Sequence, residues 1–410
     1  MYYAVDGLRP ALRLPSSIDL VAQWGGVKKI IGVVGSGMVG RDPFDPTCWS
    51  RAGYNLFSTL KTKGMLQRAF GVEVPHPLRG LLMIKNFHPE RRIWSQRLNL
   101  DPGYYDLLTR EIRRGLIPGD FSNDNVILQI GNHYNGSSAS AGRIPTYSYS
   151  DANISGMMKS PFFPKNNLTH ARRAFGFERA VSHDMAKIFV MSEYWRRSYI
   201  EDFGVSPSRV VNIGTGVNID IPEVTDKDYS GKHVVFVGID FARKGGDHLV
   251  RAFQKLHSRH PDATLHIIGP QSTPPALSLP GLKNIEFHGH LSREVPAQKS
   301  ELLETLRKGT LFVLPSLFEP SGNALLEAML FRMPVIATDD WSFPEFIVND
   351  TGKLLKSATD ATEMADKMDA YLSDPSLSER SGNAGRHLVV NRYTWDKVVD
   401  RIQKEVSADV

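Results

Sequence analysis

Along most of this 410-residue chain, short apolar runs alternate with stretches whose apolar residues recur at helical spacing. The segment HVVFVGIDFARKGGDHLVRAFQKL shows the unit. An apolar run ends at Gly238, a polar turn follows, and Leu249, Val250, Phe253 and Leu256 then form the stripe of a helix that Asp247 is expected to open. Runs of this kind are buried on both faces, so their alternation with helices predicts parallel sheets in a doubly wound α/β arrangement. The pattern places strands over residues 29–34, 125–130, 144–149 and 187–191, and a second set over 234–238, 264–269, 285–288, 310–315 and 334–338. Two sets predict two Rossmann-like domains, 1–217 and 218–390, with a closing helix in 391–410 that packs back toward the first. Pro222, Asp226, Lys227 and Asp228 mark a solvated connector between them.

Composition narrows the class. At 41% hydrophobic and 23% charged the chain has ordinary globular usage, and its length exceeds what one core usually organises. Its one cysteine, Cys48, allows no internal disulfide and fits a reducing, cytoplasmic compartment. No apolar run approaches the roughly 20 residues that cross a bilayer, and the first residues lack a basic start followed by an apolar core, so neither anchor nor signal peptide is expected. Asn135-Gly136-Ser137 and Asn167-Leu168-Thr169 are then chance sequons. The net charge of +5 hides two opposed halves: residues 1–219 hold 27 Lys+Arg against 17 Asp+Glu, and the remainder holds 22 against 27. Arg91-Arg92, Arg113-Arg114, Arg172-Arg173 and Arg196-Arg197, with Pro161-Phe162-Phe163-Pro164 beside Lys159 and Lys165, suggest an anionic partner, either a membrane surface or a charged glycan rather than nucleic acid. Solvated charge without any partner would give the same composition.

The chemistry concentrates in LFVLPSLFEPSGNALLE. A strand ending at Pro315 passes through a turn to a helix expected near Ser321, leaving the amides of Gly322, Asn323 and Ala324 free to meet an anion. Glu319 lies in the turn and Glu327 on the helix, both able to accept hydroxyl hydrogen bonds beside that anion. Amides for phosphates and carboxylates for hydroxyls together describe a nucleotide sugar. Arg243 and Lys244, beyond the strand ending at Gly238, are placed to neutralise a diphosphate. His133 and Asp151 each follow an apolar strand of the first half and are candidates for the facing wall, though either could instead serve local backbone. Two patterns are set aside. Gly35-Ser36-Gly37-Met38-Val39-Gly40 matches the dinucleotide fingerprint, yet Pro43 and Pro46 forbid the immediate helix it requires. Asp226-Lys227-Asp228 has the form of a metal-binding Asp-x-Asp but lacks an apolar strand to hold it, so no metal is expected.

Taken together, Glu319-Pro-Ser-Gly-Asn with Glu327 resembles the donor signature of the retaining glycosyltransferases with the GT-B fold, family four (glycosyl transferases group 1). The resemblance extends to Lys244-Gly245, to MPVIATDDWSFPEFIVNDTGKLL, and more loosely to DPFDPTCWSRAGYNLFSTLKTKG, where Ser50, Arg51, Ala52 and Gly53 occupy the family's acceptor-side loop and Arg51 to Gly53 replace its usual small residues. It implies that Glu319 contacts the transferred sugar, that Glu327 contacts the ribose, and that Lys244 and Arg243 hold the diphosphate. Arg243 stands in for an Arg the family places directly after the strand glycine, where this chain has Ile239. The implied co-substrate is a nucleoside diphosphate sugar with no further cofactor. The positive first half adds the expectation of a glycan or a lipid-linked acceptor, the latter at the inner face of a membrane. A nucleotide-sugar epimerase or sugar phosphorylase of the same fold, an oxidoreductase using Gly35 to Gly40, and a silent sugar-nucleotide-binding module are the alternatives.

Overall fold

The computed structural model describes residues 28–35, 42–223, 226–278, 281–348 and 350–408. Of the glycine-rich stretch it includes Gly35, while Ser36, Gly37, Met38, Val39 and Gly40 lie outside the described residues. Six strands belong to the first half: β1 Lys29–Gly35, β2 Leu66–Val72, β3 Asn125–Ile130, β4 Thr146–Ser150, β5 Lys187–Val190 and β6 Val210–Asn212. Six belong to the second: β7 His233–Val237, β8 Thr264–Ile268, β9 Ile285–Gly289, β10 Leu311–Leu314, β11 Val335–Thr338 and β12 Gly352–Leu355. They form two parallel sheets, ordered β2-β1-β3-β4-β5-β6 and β12-β11-β10-β7-β8-β9. Because every pairing is parallel, each sheet gathers the carboxyl ends of its strands along one edge. The α/β pair of Rossmann-like sheets expected from the pattern is present, and the inner strands are covered by helices because no polar face was written into them.

The strands not anticipated are β2, β6 and β12. All three are at or next to the rim: β2 (LQRAFGV) is half-exposed along most of its length, and β6 and β12 are short and half-buried. These three edge strands carry no continuous apolar run, which is why periodicity passes over them, whereas the edge strand β9 was expected.

A single apolar cluster surrounds the second sheet, and two clusters cover the faces of the first. One of those two is completed from the far end of the chain. The helix Trp395–Ser407 lays Trp395, Val398, Val399, Ile402 and Val406 against Leu56, Phe57 and Leu60. Lys187 with Glu405 at 3.0 Å and Lys63 with Asp400 at 2.6 Å border the contact. The chain therefore passes from the first domain to the second and returns. The two passages lie side by side, Val217 N donating to the Tyr393 carbonyl at 3.0 Å.

The connector is solvated at Asp226 and Asp228, as its composition suggested, but not at Lys227. Lys227 is half-buried and donates to the carbonyls of Phe331 (2.7 Å) and Arg307 (3.3 Å), while Arg386 donates to Pro222 O at 2.7 Å and to Leu330 O at 2.5 Å. The cause is two helix ends, Asn323–Leu330 and Pro296–Lys308, whose last carbonyls have no intrahelical donor. Burial pushes the Lys227 ammonium down to about 7. The two sequon asparagines are likewise committed: Asn135 caps the following turn through Ser138 N, and buried Asn167 donates to Gln96 at 2.9 Å. Among the described residues no helix is long and apolar enough to cross a membrane.

Asp247 falls in the first turn of the helix Gly246–Leu256, and Gly245, at φ 75°, caps it instead. A Cβ at Gly245 would collide with the Pro315 carbonyl oxygen, so this left-handed glycine also lets the loop after β7 touch the loop after β10. Gly245→Ala is expected to lower stability by at least about 2 kcal/mol in chemical denaturation, because strain and collision add. Gly64→Ala serves as the control: at φ 67° with open space around it, it should lose about 1 kcal/mol from conformation alone.

Candidate active site in the interdomain cleft

Beyond β10 the chain turns through Pro315 to Ser321 and enters the helix Asn323–Leu330 at Gly322, whose φ of 70° makes it the cap. The helix thus begins two residues later than Ser321 predicted, since a left-handed residue cannot continue it. Phe343 and Phe346 rings stand 3.1 Å from where a Cβ on Gly322 would lie. Glu319 is 3% exposed. Its Oε1 accepts from Gly322 N at 3.2 Å, and its Oε2 accepts from Ser316 Oγ at 3.2 Å and from Lys244 Nζ at 2.5 Å. Burial alone would raise this carboxyl; the charges of Lys244 and Arg243 and these hydrogen bonds outweigh it and hold it below its ordinary range. Arg243 Nη1 donates to Phe318 O at 2.8 Å, and its carbonyl accepts Leu317 N at 2.9 Å. Gly238 makes room for this meeting of loops: a Cβ there would stand 2.9 Å from Lys244 Cγ. Half-buried Ser321, Asn323 and Ala324 complete the helix entry, and Asn323 Oδ1 accepts from Thr215 Oγ1 of the connection at 3.3 Å.

Glu327 follows on the helix, 5% exposed, and meets a residue the sequence reading passed over. Arg293 donates to both its oxygens, at 3.0 and 2.6 Å, and to Asn218 O at 3.2 Å. Arg293 lies in the loop after β9, on the same edge as Arg243 after β7. The rule that drew attention to Arg243 applied equally to HGHLSREVP, but nothing in that segment marks it as a partner of Glu327.

On the facing edge Asp151 follows β4 and accepts from Trp49 Nε1 at 3.3 Å. Burial pushes its carboxyl up to about 6, and the charge of Glu319 adds to the rise, so the two carboxylates confront each other across the cleft. His133 follows β3 beyond Gly131 and leans on the Tyr105 ring at 5.3 Å; burial pushes it down to about 4, leaving it neutral at pH 7. No described contact ties His133 to the second domain. The loop Trp49-Ser50-Arg51 is left-handed throughout, with φ of 46°, 54° and 73°. Side chains rarely take that conformation, and this loop is fastened from outside. Asn218 Nδ2 donates to Ser50 O at 3.1 Å, and Arg51 pairs with Glu294 of the second domain at 3.2 Å. Ala52 returns to right-handed helix, and a Cβ on Gly53 would stand 2.6 Å from Cys48 Sγ. Trp195 Nε1 to Pro320 O at 2.6 Å and Asn212 Nδ2 to Glu345 at 2.9 Å close the two edges on each other.

The structure therefore brings together Glu319, Lys244 and Arg243 in one loop pair, sets Asp151 opposite, and pairs Glu327, on the helix Asn323–Leu330, with Arg293 from the loop after β9. Cations and helix amides suit an anion, and the acceptor oxygens suit hydroxyls. Among the described residues, metal-ligating side chains gather at His266, Glu286 and His288, mid-strand on β8 and β9 and outside this cleft. Lys244→Met should expose the dependence of Glu319 on its partner. A buried carboxylate left alone costs about 3 kcal/mol at pH 7. The deficit should shrink as pH falls and Glu319 protonates, because a carboxyl held low in the fold stabilises at neutral pH and loses that contribution in acid. Adding Glu319→Gln should restore most of the loss; urea titrations at pH 7 and pH 4 measure both.

Residues 218–388 match the model for glycosyl transferases group 1. Over 178 residues the chain is 32% identical to the alpha-maltose-1-phosphate synthase of Mycobacterium tuberculosis, an overlap of 41% of this chain and 45% of that protein, so it spans less than half of this curated relative. Among solved structures, sucrose-phosphate synthase from Thermosynechococcus elongatus superposes with a TM-score of 0.65 at 15% identity, covering 93% of this chain and all of the other (100%). HepE from Anabaena, solved with UDP, superposes at 0.59 and 16% identity over 93% of this chain and 100% of the other. Over residues 218–388 the chain is thus similar to the glycosyl transferases group 1, and its two parallel sheets have the GT-B arrangement.

Proposed function

We propose that this chain is a retaining glycosyltransferase that moves a sugar from a nucleoside diphosphate sugar, held by the second domain, to an acceptor hydroxyl presented along the first. The observation that carries this reading is the Lys244–Glu319 pair with Arg243 beside it at the entry of the helix Asn323–Leu330. In the free protein Lys244 is neutralised by Glu319. A diphosphate entering against the helix amides takes over Lys244 and Arg243, and the released Glu319 accepts hydroxyls of the sugar. Ribose hydroxyls compete with Arg293 for Glu327. As the bond to phosphate lengthens, the two cations and the amides stabilise the charge on the leaving group. The acceptor attacks from the same face, its proton passing to the departing phosphate oxygen. Catalysis rests on positioning and electrostatics rather than on a protein nucleophile, with Asp151 and His133 orienting the acceptor. Since Lys244 and Arg243 supply the positive charge, no divalent ion is needed in the cleft.

A panel of nucleotide sugars, read first by thermal shift and then with candidate acceptors, tests the reading. The product should keep the donor's anomeric configuration by NMR, and turnover should persist in chelator. Lys244→Ala should lower turnover about 100-fold or more, corresponding to about 3 kcal/mol of leaving-group stabilisation. Glu327→Ala should weaken binding of the free nucleoside diphosphate, whereas Glu319→Ala should damage transfer more than that binding. Turnover of donor without acceptor, or with inorganic phosphate, would favour the epimerase or phosphorylase instead.

The acceptor side carries a second observation. The basic pairs are dispersed: Arg196 pairs with Glu193, Arg114 with Glu111, and Lys159 with Asp202, while Phe162 and Phe163 pack on the first-domain core rather than facing solvent. The exposed apolar surface lies elsewhere. Leu81, Ile84 and Phe87, on and just after the helix His76–Lys85, are 64%, 75% and 61% exposed, three residues apart, with exposed Arg91 and Arg92 following. We infer peripheral contact with an anionic membrane through this helix, which begins just past the carboxyl end of β2. The full chain should co-sediment with vesicles containing anionic lipid at low salt, and Ile84→Glu should abolish this without changing transfer to a water-soluble acceptor. Equal binding by the variant, or no preference for anionic over neutral vesicles, would reject the contact.

A further inference from the structure

Three histidines stand in a row across the strands β7, β8 and β9. His233 Nδ1 lies 3.1 Å from His266 Nε2, and His266 Nδ1 lies 3.2 Å from His288 Nε2. Glu286 closes the group: its Oε2 is 3.1 Å from His266 Nδ1 and 3.9 Å from His288 Nε2. The strands fix this arrangement. His266 and Glu286 are direct partners in the β8–β9 register, and the register then slips so that Ile268 faces Gly289, leaving His288 as the extra residue of a bulge. Two positions apart on β9, Glu286 and His288 share one face with His266, beneath the helix Pro296–Lys308.

The three inner atoms, His266 Nδ1, His288 Nε2 and Glu286 Oε2, form a small triangle. Ligands of a tetrahedral Zn²⁺ at about 2.05 Å stand about 3.3 Å from one another. Two edges of the triangle are within a few tenths of an ångström of that value, and the third needs Glu286, the most exposed member, to move by about half an ångström. The outer hydrogen bonds fit the same reading. His288 Nδ1 meets Glu301 Oε1 at 2.8 Å, the carboxylate contact that orients a ligating imidazole and leaves its Nε2 lone pair pointing inward. His266 Nε2 meets His233.

We propose that His266, His288 and Glu286 bind a first-row divalent metal ion of the zinc type, one per chain, with the fourth position open to water on the Glu286 side. Such an ion clips the edge strand β9 to β8 and to the helix Pro296–Lys308. It also anchors the base of the loop bearing Arg293 and Glu294, which reaches the cleft. The site is separate from the sugar-transfer reading and stands or falls without it.

The full chain, freed of any affinity tag and treated with chelator, is titrated with Zn²⁺ by calorimetry, and with Co²⁺ while the visible spectrum is recorded. One ion per chain, cobalt bands of tetrahedral intensity that Zn²⁺ abolishes, and a raised unfolding temperature are expected. His288→Gln should weaken the affinity about 100-fold, and Glu301→Gln, which removes the orienting carboxylate, about 10-fold. If buried His266→Ala does not fold, Glu286→Gln, at an exposed position, decides in its place and should also weaken binding at least about 10-fold. Absence of binding, several weak ions per chain, or affinity unchanged in His288→Gln and Glu286→Gln would overturn the site.

Discussion

Lys244 and Glu319 meet where two strand-to-helix loops have almost no room to pass, and the cleft is arranged around that meeting. Bringing both charges out of water is costly, and their mutual attraction offsets the cost only when geometry is good and other polar atoms are satisfied. Here Ser316 and the Gly322 amide take the remaining acceptor capacity of the carboxylate. Three glycines make the approach possible: Gly238 under the lysine stem, Gly245 against the Pro315 carbonyl, and Gly322 at the helix entry. The pair is a placeholder in the electrostatic sense. It keeps a buried cation and a buried anion compatible with the fold while leaving each able to change partners.

The same logic recurs along the helix. Arg293 satisfies Glu327 in two hydrogen bonds, so both glutamates of the motif stand engaged by a cation in the free protein. A ligand that recruits these carboxylates must exchange contacts rather than fill an empty place. Its net affinity is then a difference between two sets of charge-assisted bonds. Specificity gains from this, because a molecule able to satisfy the carboxylates but not the released cations leaves unpaired charge behind.

Much of this was legible in the chain because the physical signals were local. Apolar runs buried on both faces gave the inner strands, and the glycines and cations after β7 and β10 lie close in sequence to the strands that position them. What escaped had non-local causes. The edge strands β2, β6 and β12 lack the apolar continuity that marks a strand. Arg293 acquires meaning only through Glu327, a contact made across folded loops. The solvent exposure expected of Lys227 gave way to the unpaired carbonyls of two helix ends far along the chain. The Phe162-Phe163 pair looked like a surface patch, yet the exposed apolar face belongs to Leu81, Ile84 and Phe87. The histidine row depends on how β7, β8 and β9 are registered against one another, which cannot be counted from the sequence.

The paired passages between the domains carry a mechanical consequence. A domain on one tether can twist and swing about every axis, whereas here the outgoing chain at Val217 and the returning chain at Tyr393 are hydrogen-bonded side by side, and Trp395 closes over Gly216. Two adjacent strands of covalent backbone resist twisting far more than bending. The cleft can therefore open and shut much as a book does about its spine, with sliding and rotation of one half over the other suppressed. Loops brought into register once return to the same register after each opening.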